Sequence, residues 1–299
     1  MMQIFSKNKT GIKHSAKCTF CGSASRTLRP FAFRHSECLD LYKCSTCGCE
    51  FLCPSPSGEW LKEEYDNYYS KRSGGIERPK IRYFRNLLSG LGENFDGLRI
   101  LDIGSAEGEF VSVVNELWPD AQVTAIESNE ECSAFYRNLR CTLVKEFFTE
   151  WITGVNDNSF DAVFCFDVIE HFTDPAASLQ LLLQKIAPRG WVIATFPNCE
   201  SLSRVVMGRH WFQYKVEHCT YFTRKAIVQF AHKNRMHNKK IGSLWKKMPV
   251  DYYLTVGSRF GPDSFRHIAG IVNSLCPPIL RNITIPLSLG EWLWIAKKQ

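Results

Sequence analysis

The chain has 299 residues, of which 44% are hydrophobic and 22% are charged. This mix is typical of a folded protein with one large domain or two unequal ones, and it excludes a mainly disordered or low-complexity chain. The sequence contains no run of about 18 apolar residues and its first residues lack an apolar signal core, so we expect a cytoplasmic protein without a transmembrane segment.

The net charge of +7 is distributed unevenly along the chain. Residues 97–200 carry 6 Lys and Arg against 16 Asp and Glu, whereas residues 201–299 carry 16 against 4. Basic ends favour an anionic partner such as a phosphate, a sugar nucleotide or nucleic acid. The alternative is that acidic and basic surfaces of the fold neutralise each other.

Seven of the 13 cysteines lie within the first 53 residues. Four of them form two CxxC pairs, Cys18 with Cys21 and Cys44 with Cys47, and a glycine follows each pair. The odd cysteine count and the missing export signal argue against a disulfide framework, and four thiolates favour tetrahedral zinc. We therefore predict a zinc-ribbon-like unit over 14–58, with these four residues as ligands. Unrelated free thiols and a redox pair are the alternatives.

The segment 59–96 is predicted to be a helical linker or lid. Trp60, Leu61, Glu64 and Tyr65 recur at helical spacing. The glycines at 74 and 75 interrupt this pattern, and a second helix is predicted from about 79 to 88.

Strands alternate with helices from residue 97 to residue 200. The predicted strands cover 98–103, 122–126, 141–144, 160–166 and 191–196, and the predicted helices cover 109–117, 130–139 and a segment that ends at 183. This alternation predicts an α/β fold with a Rossmann-like, doubly wound, mostly parallel sheet, to which the small N-terminal zinc ribbon is added. The remainder, 201–299, is less regular, with a helix predicted over 222–233 and strands over 252–256 and 292–296.

A glycine-containing turn, LDIGSAEGEF at 101–110, follows the strand at 98–103. Its glycines allow a ligand to approach the backbone, and the N–H groups of the next helix then face that ligand. Glu127 ends the second strand, where a carboxylate accepts hydrogen bonds from ribose hydroxyls. A solvated loop carboxylate is the alternative for Glu127. A nicotinamide-binding domain is the competing interpretation of the turn, but the G-x-G-x-x-G spacing typical of it is absent.

Four features in this order make the segment 97–200 resemble class I S-adenosylmethionine-dependent methyltransferases. They are the turn LDIGSAEGEF, the acidic Glu127, the block FDAVFCFDVIEHFTDP at 160–175 and the strand PRGWVIATFPN at 188–198. The EH-x-x-DP part resembles a subgroup that includes ubiquinone-pathway O-methyltransferases and sugar methyltransferases. Some bacterial members of saccharide and surface-polysaccharide pathways also begin with a paired-CxxC unit. The resemblance implies a methyltransferase domain over 97–299 with a lid insert at about 201–222.

The resemblance also implies which residues hold the cofactor. The residues expected around the methionine part of S-adenosylmethionine are Asp102, Gly104, Ser105, Ala106 and Gly108. Glu127 is expected at the ribose, Ser128 beside the adenosine, Glu146 or Phe147 at the adenine, and Asp167 near the methionine end. The family prefers glycine where Ala106 stands, which concerns only the tightness of cofactor binding.

Methyl transfer requires an aligned nucleophile and, for a hydroxyl acceptor, a base that removes its proton. His171 and His218 are the predicted catalytic residues, and His210 is a further candidate base. The alternative for His171 is a packing or helix-capping role. Asp167, Glu170 and His171 also have a spacing that could bring them together on a divalent metal. In the predicted lid insert, Trp and Tyr are expected to stack on the acceptor, and the alternative is an insert that packs into the core.

Two functions follow from these patterns. The first is methyl transfer to a small, anionic acceptor, a nucleotide- or lipid-linked saccharide hydroxyl or carbon, in which Arg209 or Lys215 meets a phosphate. The second is an RNA methyltransferase that grips phosphates with its zinc unit and basic ends, which requires binding that weakens steeply with salt. A pseudoenzyme that binds partners through the zinc unit is a third possibility, and the intact cofactor motifs argue against it. The sequence leaves the oligomeric state open.

Overall fold

The computed structural model of the chain describes residues 16–34, 37–70, 78–260 and 263–299. The strands are β1 (Ser25–Arg34), β2 (Glu37–Cys44), β3 (Glu50–Cys53), β4 (Arg99–Ile103), β5 (Gln122–Ile126), β6 (Thr142–Val144), β7 (Phe160–Phe166), β8 (Ile186–Pro197), β9 (Thr220–Tyr221), β10 (Met236–Ser243), β11 (Lys246–Pro249), β12 (Thr284–Leu287) and β13 (Glu291–Lys298).

The α-helices are α1 (Gly58–Ser70), α2 (Arg78–Ser89), α3 (Glu109–Leu117), α4 (Phe148–Trp151), α5 (Pro175–Lys185), α6 (Leu202–Met207), α7 (Arg224–Lys233), α8 (Val250–Phe260), α9 (Asp263–Leu275) and α10 (Pro278–Arg281). Short 3-10 helices occur at Glu130–Asn138, Ile152–Gly154, Ile169–His171 and Gly208–His210. Within these described segments, no helix has the length and apolar character needed to cross a bilayer.

Seven strands form the main sheet in the order β10-β13-β8-β7-β4-β5-β6. All neighbouring pairs from β8 to β6 are parallel, whereas β13 runs antiparallel to both β8 and β10. The chain proceeds outward from β4 in one direction and returns to β7 on the other side. The carboxyl ends of β4 and β7 therefore flank a topological switch point, where open α/β sheets bind their ligands. The predicted Rossmann-like fold is confirmed.

Both faces of this sheet are covered, which explains why its strands are continuous apolar runs. Successive residues of β7 point to opposite faces, so that Val163 belongs to the core cluster that includes residues of α5 and α7, whereas Phe164 packs with Phe110 of α3 on the other side. Helix α2 lies beside α3 on that second face. The sheet is thus a rigid platform whose strand ends carry the polar residues described below.

The cysteine-rich segment forms a second, antiparallel sheet in the order β1-β2-β3-β9. Its fourth strand, β9, comes from residues 220–221, far along the chain. Residues 14 and 15 of the predicted zinc unit and the two glycines at 74 and 75 lie outside the described residues. The boundaries 14–58, 59–96 and 97–299 stay a prediction.

Two expectations about secondary structure need correction, and three further strands were not predicted. Residues 252–256, predicted as a strand, lie in helix α8, because a short apolar run is compatible with either structure and α8 packs against α9. The helix predicted over 130–139 is a 3-10 helix. Strands β10 to β12 were not predicted, since β10 is a polar, lysine-containing edge strand and β11 and β12 are only four residues each.

Candidate active site

The turn after β4 packs directly against the turn after β7. Gly104 has a φ of +70°, and a Cβ there would lie 2.5 Å from Cγ2 of Val168. Gly108 has a φ of +78° and precedes α3, and a Cβ there would lie 2.6 Å from Cδ1 of Leu139. Both glycines therefore have a packing reason as well as a conformational one. The turn leaves the N-terminal N–H groups of α3 at the switch point.

Ala106 occupies the middle of this turn with a φ of +48°. This left-handed conformation suits glycine, and an alanine adopts it only where its surroundings enforce it. Here the N–H of Ala106 donates to Oε2 of Glu127 over 2.9 Å, and its carbonyl accepts from the Tyr136 hydroxyl over 3.0 Å. The glycine that the resemblance leads one to expect is thus replaced by a residue held from both sides.

Asp102 is a buried carboxylate at the end of β4. Only 2% of its surface is exposed, and its Oδ2 has no hydrogen-bond partner within the described part of the chain. Burial raises its pKa well above the ordinary value, and the nearby carboxylates of Glu127 and Glu109 raise it further. Three carboxylates around one crevice create a field that favours a cationic ligand.

Glu127 follows β5 and its carboxylate faces the turn. Besides accepting from Ala106, it accepts from the N–H of Asn129 through Oε1 over 2.8 Å. A carboxylate oxygen has two lone pairs and can therefore accept from more than one donor. The predicted site residues Asp102, Gly104 and Glu127 are therefore brought together at one point of the sheet.

Ser105, one of the residues expected around the methionine part, uses its side chain within the protein. Its hydroxyl donates to the carbonyl of Ile126 over 3.2 Å and accepts from Tyr136 over 2.6 Å. Tyr136, which the sequence did not single out, thus fixes the turn from outside. The sequence offered little indication of this role, since Tyr136 lies in a segment that was predicted only to be helical.

Ser128, Glu146 and Phe147 lie at the rim of this region. Ser128 is exposed after β5, and Glu146 and Phe147 are exposed after β6. The Phe147 ring is 59% exposed just before α4. An exposed aromatic ring at a strand end can cover the face of a planar ligand.

Asp167 follows β7 with a φ of +56°, a conformation that costs energy in a residue other than glycine. Its Oδ1 accepts from the Thr195 hydroxyl over 2.8 Å, and its Oδ2 lies 3.6 Å from Nζ of Lys246. Lys246 also pairs with Glu291 over 2.7 Å and lies 5.6 Å from the centroid of the Tyr83 ring. Burial lowers the pKa of Lys246, but Asp167 and Glu291 outweigh burial and raise it well above its ordinary value.

Lys246 and Glu291 were not identified from the sequence. Both lie beyond the carboxyl ends of the parallel strands, since Glu291 pairs with Pro197 at the end of β8. Glu291 could have been noticed as the lone carboxylate in the otherwise apolar strand EWLWIA. No sequence pattern indicated a role for Lys246, because β11 is not recognisable in a basic segment.

His171 and His218, the predicted catalytic residues, lie next to each other. Their ring centroids are 4.8 Å apart and nearly perpendicular. Nδ1 of His171 lies 3.1 Å from the hydroxyl of Tyr65 on α1, and Nδ1 of His218 lies 2.9 Å from the carbonyl of Gln213. Burial lowers the pKa of His171 to about 4, with Lys215 adding to this effect and Asp167 opposing it. Burial also lowers the pKa of His218, so both rings are neutral at pH 7.

Glu170 completes this cluster. One ligand atom each from Glu170, His171 and His218 lies within 4.8 Å of the others. Glu170 is buried, and its Oε2 has no hydrogen-bond partner in the part of the chain described. The expected group of Asp167, Glu170 and His171 is thus corrected: His218 takes the place of Asp167. Such a set can relay a proton or hold a divalent cation.

The rest of the EH-x-x-DP block has a structural role. Asp174 caps α5 by accepting from the N–H of Ala177 over 3.0 Å, and Pro175 occupies the first turn. In the predicted lid insert, Trp211 is only 1% exposed and packs with Leu39, Leu41 and Trp60. The expectation that this tryptophan stacks on an acceptor is wrong, because its side chain is buried in the protein core. His210 and Arg209 are exposed and bonded to each other.

The four predicted zinc ligands converge. The Sγ atoms of Cys18, Cys21, Cys44 and Cys47 all lie within 4.8 Å of one another. The distance from Cys18 to Cys47 is 3.7 Å and that from Cys21 to Cys44 is 3.4 Å. Thiolates about 2.3 Å from a tetrahedral zinc lie about 3.8 Å apart, so the cluster fits that ion.

The backbone around the cluster suits thiolates as well. The N–H of Phe20 donates to Cys18 Sγ over 3.4 Å, and the N–H of Thr46 donates to Cys44 Sγ over 3.3 Å. Gly22 and Gly48 close the two turns with φ of +73° and +80°. Burial raises the pKa of Cys44, but its N–H donors outweigh this and hold the pKa at about 6. The pKa values of the other three thiols are raised, by burial for Cys21 and by hydrogen bonds to a neighbouring thiol together with burial for Cys18 and Cys47. Cys38, Cys49 and Cys53 do not belong to this cluster.

Several known proteins are similar to this chain. The model of a family described as "Methyltransferase domain" matches residues 76–234. The ubiquinone biosynthesis O-methyltransferase of Leptothrix cholodnii is 28% identical over 109 residues, which are 34% of this chain and 46% of that protein. The trans-aconitate 2-methyltransferase of Rhodopseudomonas palustris is 27% identical over 161 residues, which are 52% of this chain and 57% of that protein. The chain thus spans about half the length of the curated relatives it matches.

Solved structures share the fold. A SAM-dependent methyltransferase from Archaeoglobus fulgidus superposes with a TM-score of 0.51 at 20% identity, covering 78% of this chain and 99% of that chain. The YcgJ protein of Bacillus subtilis superposes with a TM-score of 0.53 at 13% identity, covering 73% of this chain and 99% of that chain. At these identities the similarity concerns the fold alone.

Proposed function

Because this chain belongs to the family of proteins with a methyltransferase domain, we propose that it transfers a methyl group from S-adenosylmethionine to a small-molecule acceptor. The observation that carries this proposal is the buried Asp102, whose Oδ2 has no partner among the residues described. Its pKa is raised by burial and by Glu127 and Glu109, and a ligand with cationic groups would relieve this repulsion. S-adenosylmethionine carries a cationic amino group and a cationic sulfonium, which supplies the reactive methyl group.

The residues at the switch point would bind this cofactor in parts. Asp102 and the turn from Gly104 to Gly108 would hold the methionine part, with Asp167 near its end. Glu127 would accept from the ribose hydroxyls, with Ser128 beside the adenosine. Glu146 and the exposed Phe147 would lie at the adenine. Ser105 and Ala106 would line the methionine part by contact, since the Ser105 hydroxyl and both backbone groups of Ala106 form hydrogen bonds within the protein.

His171 and His218 are the proposed bases for a hydroxyl acceptor. Their lowered pKa values keep both rings neutral, and a neutral imidazole has a lone pair that accepts a proton. Tyr65 orients His171, and the carbonyl of Gln213 orients His218. This pair would deprotonate the acceptor oxygen, while Asp167 and Lys246 would bind other polar groups of the acceptor.

We propose a saccharide, nucleotide- or lipid-linked, as the acceptor. Support comes from the EH-x-x-DP block and from the polar wall around the histidines, in which Lys246, Glu291 and Gln213 offer both donors and acceptors. An anionic group on the acceptor suits the basic segment 201–299.

The test is turnover with methyl-labelled S-adenosylmethionine on a panel of sugar nucleotides, a catechol, an unsaturated tricarboxylate and RNA. We expect a sugar nucleotide to be methylated, and His171→Gln and His218→Gln to reduce turnover about 100-fold. Exposed His237 provides the control variant His237→Gln, which should act as the wild type does. Turnover only on another class would contradict the saccharide proposal. Unchanged turnover in both variants would contradict the assignment of the bases.

We further propose that 14–58 is a zinc unit in which Cys18, Cys21, Cys44 and Cys47 hold one structural ion. Four thiolates leave no open coordination position for catalysis. The purified protein should contain one zinc per chain by elemental analysis, and Cys47→Ser should lose it. Exposed Cys38 supplies the control Cys38→Ser, which should keep the metal. A metal-free wild type, or zinc retained in Cys47→Ser, would contradict this site.

A further inference from the structure

The strand that follows His218 belongs to the cysteine-rich sheet and not to the main sheet. In the pairing of β3 with β9, Glu50 is opposite Tyr221 and Phe51 is opposite Thr220. The N–H of Leu52 also donates to the carbonyl of Cys219 over 3.0 Å. The residue next to a proposed base is therefore held by a strand from the N-terminal unit.

The same short segment is joined to the catalytic cluster on its other side. The N–H of Cys219 donates to the carbonyl of Glu170 over 2.7 Å. His218 is buried between this bond and its contact with the carbonyl of Gln213. A displacement of β9 would consequently move His218 relative to His171.

Glu50 of β3 anchors the segment 201–222 as a whole. It is a charged residue with only 1% of its surface exposed. Its carboxylate accepts from Nη2 of Arg204 on α6 over 2.7 Å and from the hydroxyl of Tyr214. Arg204 in turn donates to that hydroxyl over 3.1 Å. A buried carboxylate is stable only with such partners, so two separate parts of the predicted lid insert are bound to one side chain of the N-terminal unit.

The metal-binding turns touch the methyltransferase domain directly. The hydroxyl of Thr223 donates to the carbonyl of Cys47 over 2.6 Å, and Nζ of Lys225 donates to the carbonyl of Thr46 over 2.5 Å. A Cβ at Gly48 would lie 3.2 Å from the methyl of Thr223, so the fit is close. The order of the second CxxC turn is thereby linked to the residues just after β9.

We infer that the N-terminal unit is a positioning element for the acceptor side, and that Glu50 is the residue through which it holds the segment 201–222 and His218 in place. The inference rests on the proposed function, since it takes this segment as the acceptor side. Five side-chain hydrogen bonds join described residues of 16–53 to residues of 204–225. The proposed cofactor residues at 102–127 lie on or follow β4 and β5, which belong to the main sheet and not to the cysteine-rich sheet. Loss of Glu50 or of the metal should therefore loosen the acceptor side and leave cofactor affinity unchanged.

Hydrogen exchange measured by mass spectrometry tests this inference without knowledge of the acceptor. In Glu50→Ala, amide exchange across 211–222 should accelerate at least about tenfold, because a buried charged hydrogen-bond network is lost. Exchange across 99–126 and the affinity for S-adenosylhomocysteine by calorimetry should stay within about twofold. Lys43 lies 3.7 Å from the same carboxylate with 40% of its side chain exposed, so Lys43→Ala is the matched control and should have a much smaller effect than Glu50→Ala.

Labelling of histidines by diethyl pyrocarbonate adds a readout of His218 itself. His218 is buried in the wild type, whereas His237 is exposed and serves as the internal reference. Glu50→Ala, and wild type treated with a zinc chelator, should label His218 at least about tenfold faster relative to His237. Tyr214→Phe removes a single hydroxyl and tests the network if Glu50→Ala does not fold. Glu50→Gln, which keeps one acceptor oxygen, should restore part of the protection.

The outcomes separate the inference from the proposed function. Unchanged exchange and labelling in Glu50→Ala and Tyr214→Phe would overturn the inference. An equal acceleration over 99–126 would overturn it too, since the effect would then be general destabilisation. If the wild type fails to bind S-adenosylhomocysteine, the proposed function fails, whatever the exchange shows.

Discussion

In the turn after β4, both packing and ligand binding favour glycine at one position. Gly104 adopts a left-handed conformation and leaves no room for a Cβ beside Val168. The sequence indicated only the ligand reason for this glycine, because the contact with Val168 joins residues that are 64 positions apart. The sequence therefore predicted that a ligand approaches this glycine, but it did not predict the contact with Val168.

Gly104→Ala should destabilise the protein more than a left-handed conformation alone explains. Gly97 has the same φ of +70°, and no atom of the described residues lies within 4 Å of where its Cβ would be, so Gly97→Ala measures the conformational cost alone. We expect about 1 kcal/mol for Gly97→Ala and about 2–4 kcal/mol for Gly104→Ala in urea unfolding. Equal costs would contradict the close contact with Val168.

The lowered pKa of His171 predicts how activity and stability depend on pH. The ordinary histidine value is 6.5, and burial lowers that of His171 to about 4. Between these values the unfolded chain binds a proton that the folded chain does not, so the free energy of unfolding falls as the pH drops from 6.5 towards 4. Urea midpoints at pH 7 and pH 5 should differ less in His171→Gln than in the wild type. Activity should show no acid limb near pH 6.5, and a limb there would contradict the buried neutral ring.

At the level of elements, β11 and the start of β13 are held together by Lys246. This lysine pairs with Glu291 and lies 3.6 Å from Asp167, and its own side chain is 17% exposed. Lys246→Met leaves two carboxylates facing each other without a cation, which should cost about 3–5 kcal/mol in urea unfolding.

The exposed pair of Arg85 and Glu116 is the matched control for this network. Its atoms are 2.5 Å apart, yet both side chains are largely in solvent. Arg85→Ala should therefore cost less than about 1 kcal/mol. A similar cost for Lys246→Met and Arg85→Ala would show that the buried network contributes little to the position of β11.

The elements differ in how well the sequence predicted them. Strands β4, β5 and β7 were predicted because burial on both faces makes them continuous apolar runs. Helix α8 was mistaken for a strand, since a short, mainly apolar run fits both periodicities. Lys246, Glu291 and Tyr136 were missed because their roles depend on contacts between distant segments, which no local pattern records.

For the whole molecule, the two sheets have different proposed roles. The main sheet places Asp102, Gly104 and Glu127 at the switch point, and the cysteine-rich sheet reaches the histidine pair through β9. The paired CxxC spacing predicted the cysteine cluster correctly, because a metal site records its geometry in local spacing. Attachment of that unit to residues 204–225 was not predictable, because it depends on the tertiary fold.

Calorimetric titration with S-adenosylhomocysteine shows whether the switch point is a cofactor site. We expect micromolar binding by the wild type and a loss of about 10–100-fold in Glu127→Ala, which removes charged acceptors for the ribose hydroxyls. Exposed Glu131 provides the control Glu131→Ala, which should bind as the wild type does. A folded wild type that does not bind, or a Glu127→Ala variant that binds equally well, would contradict the account.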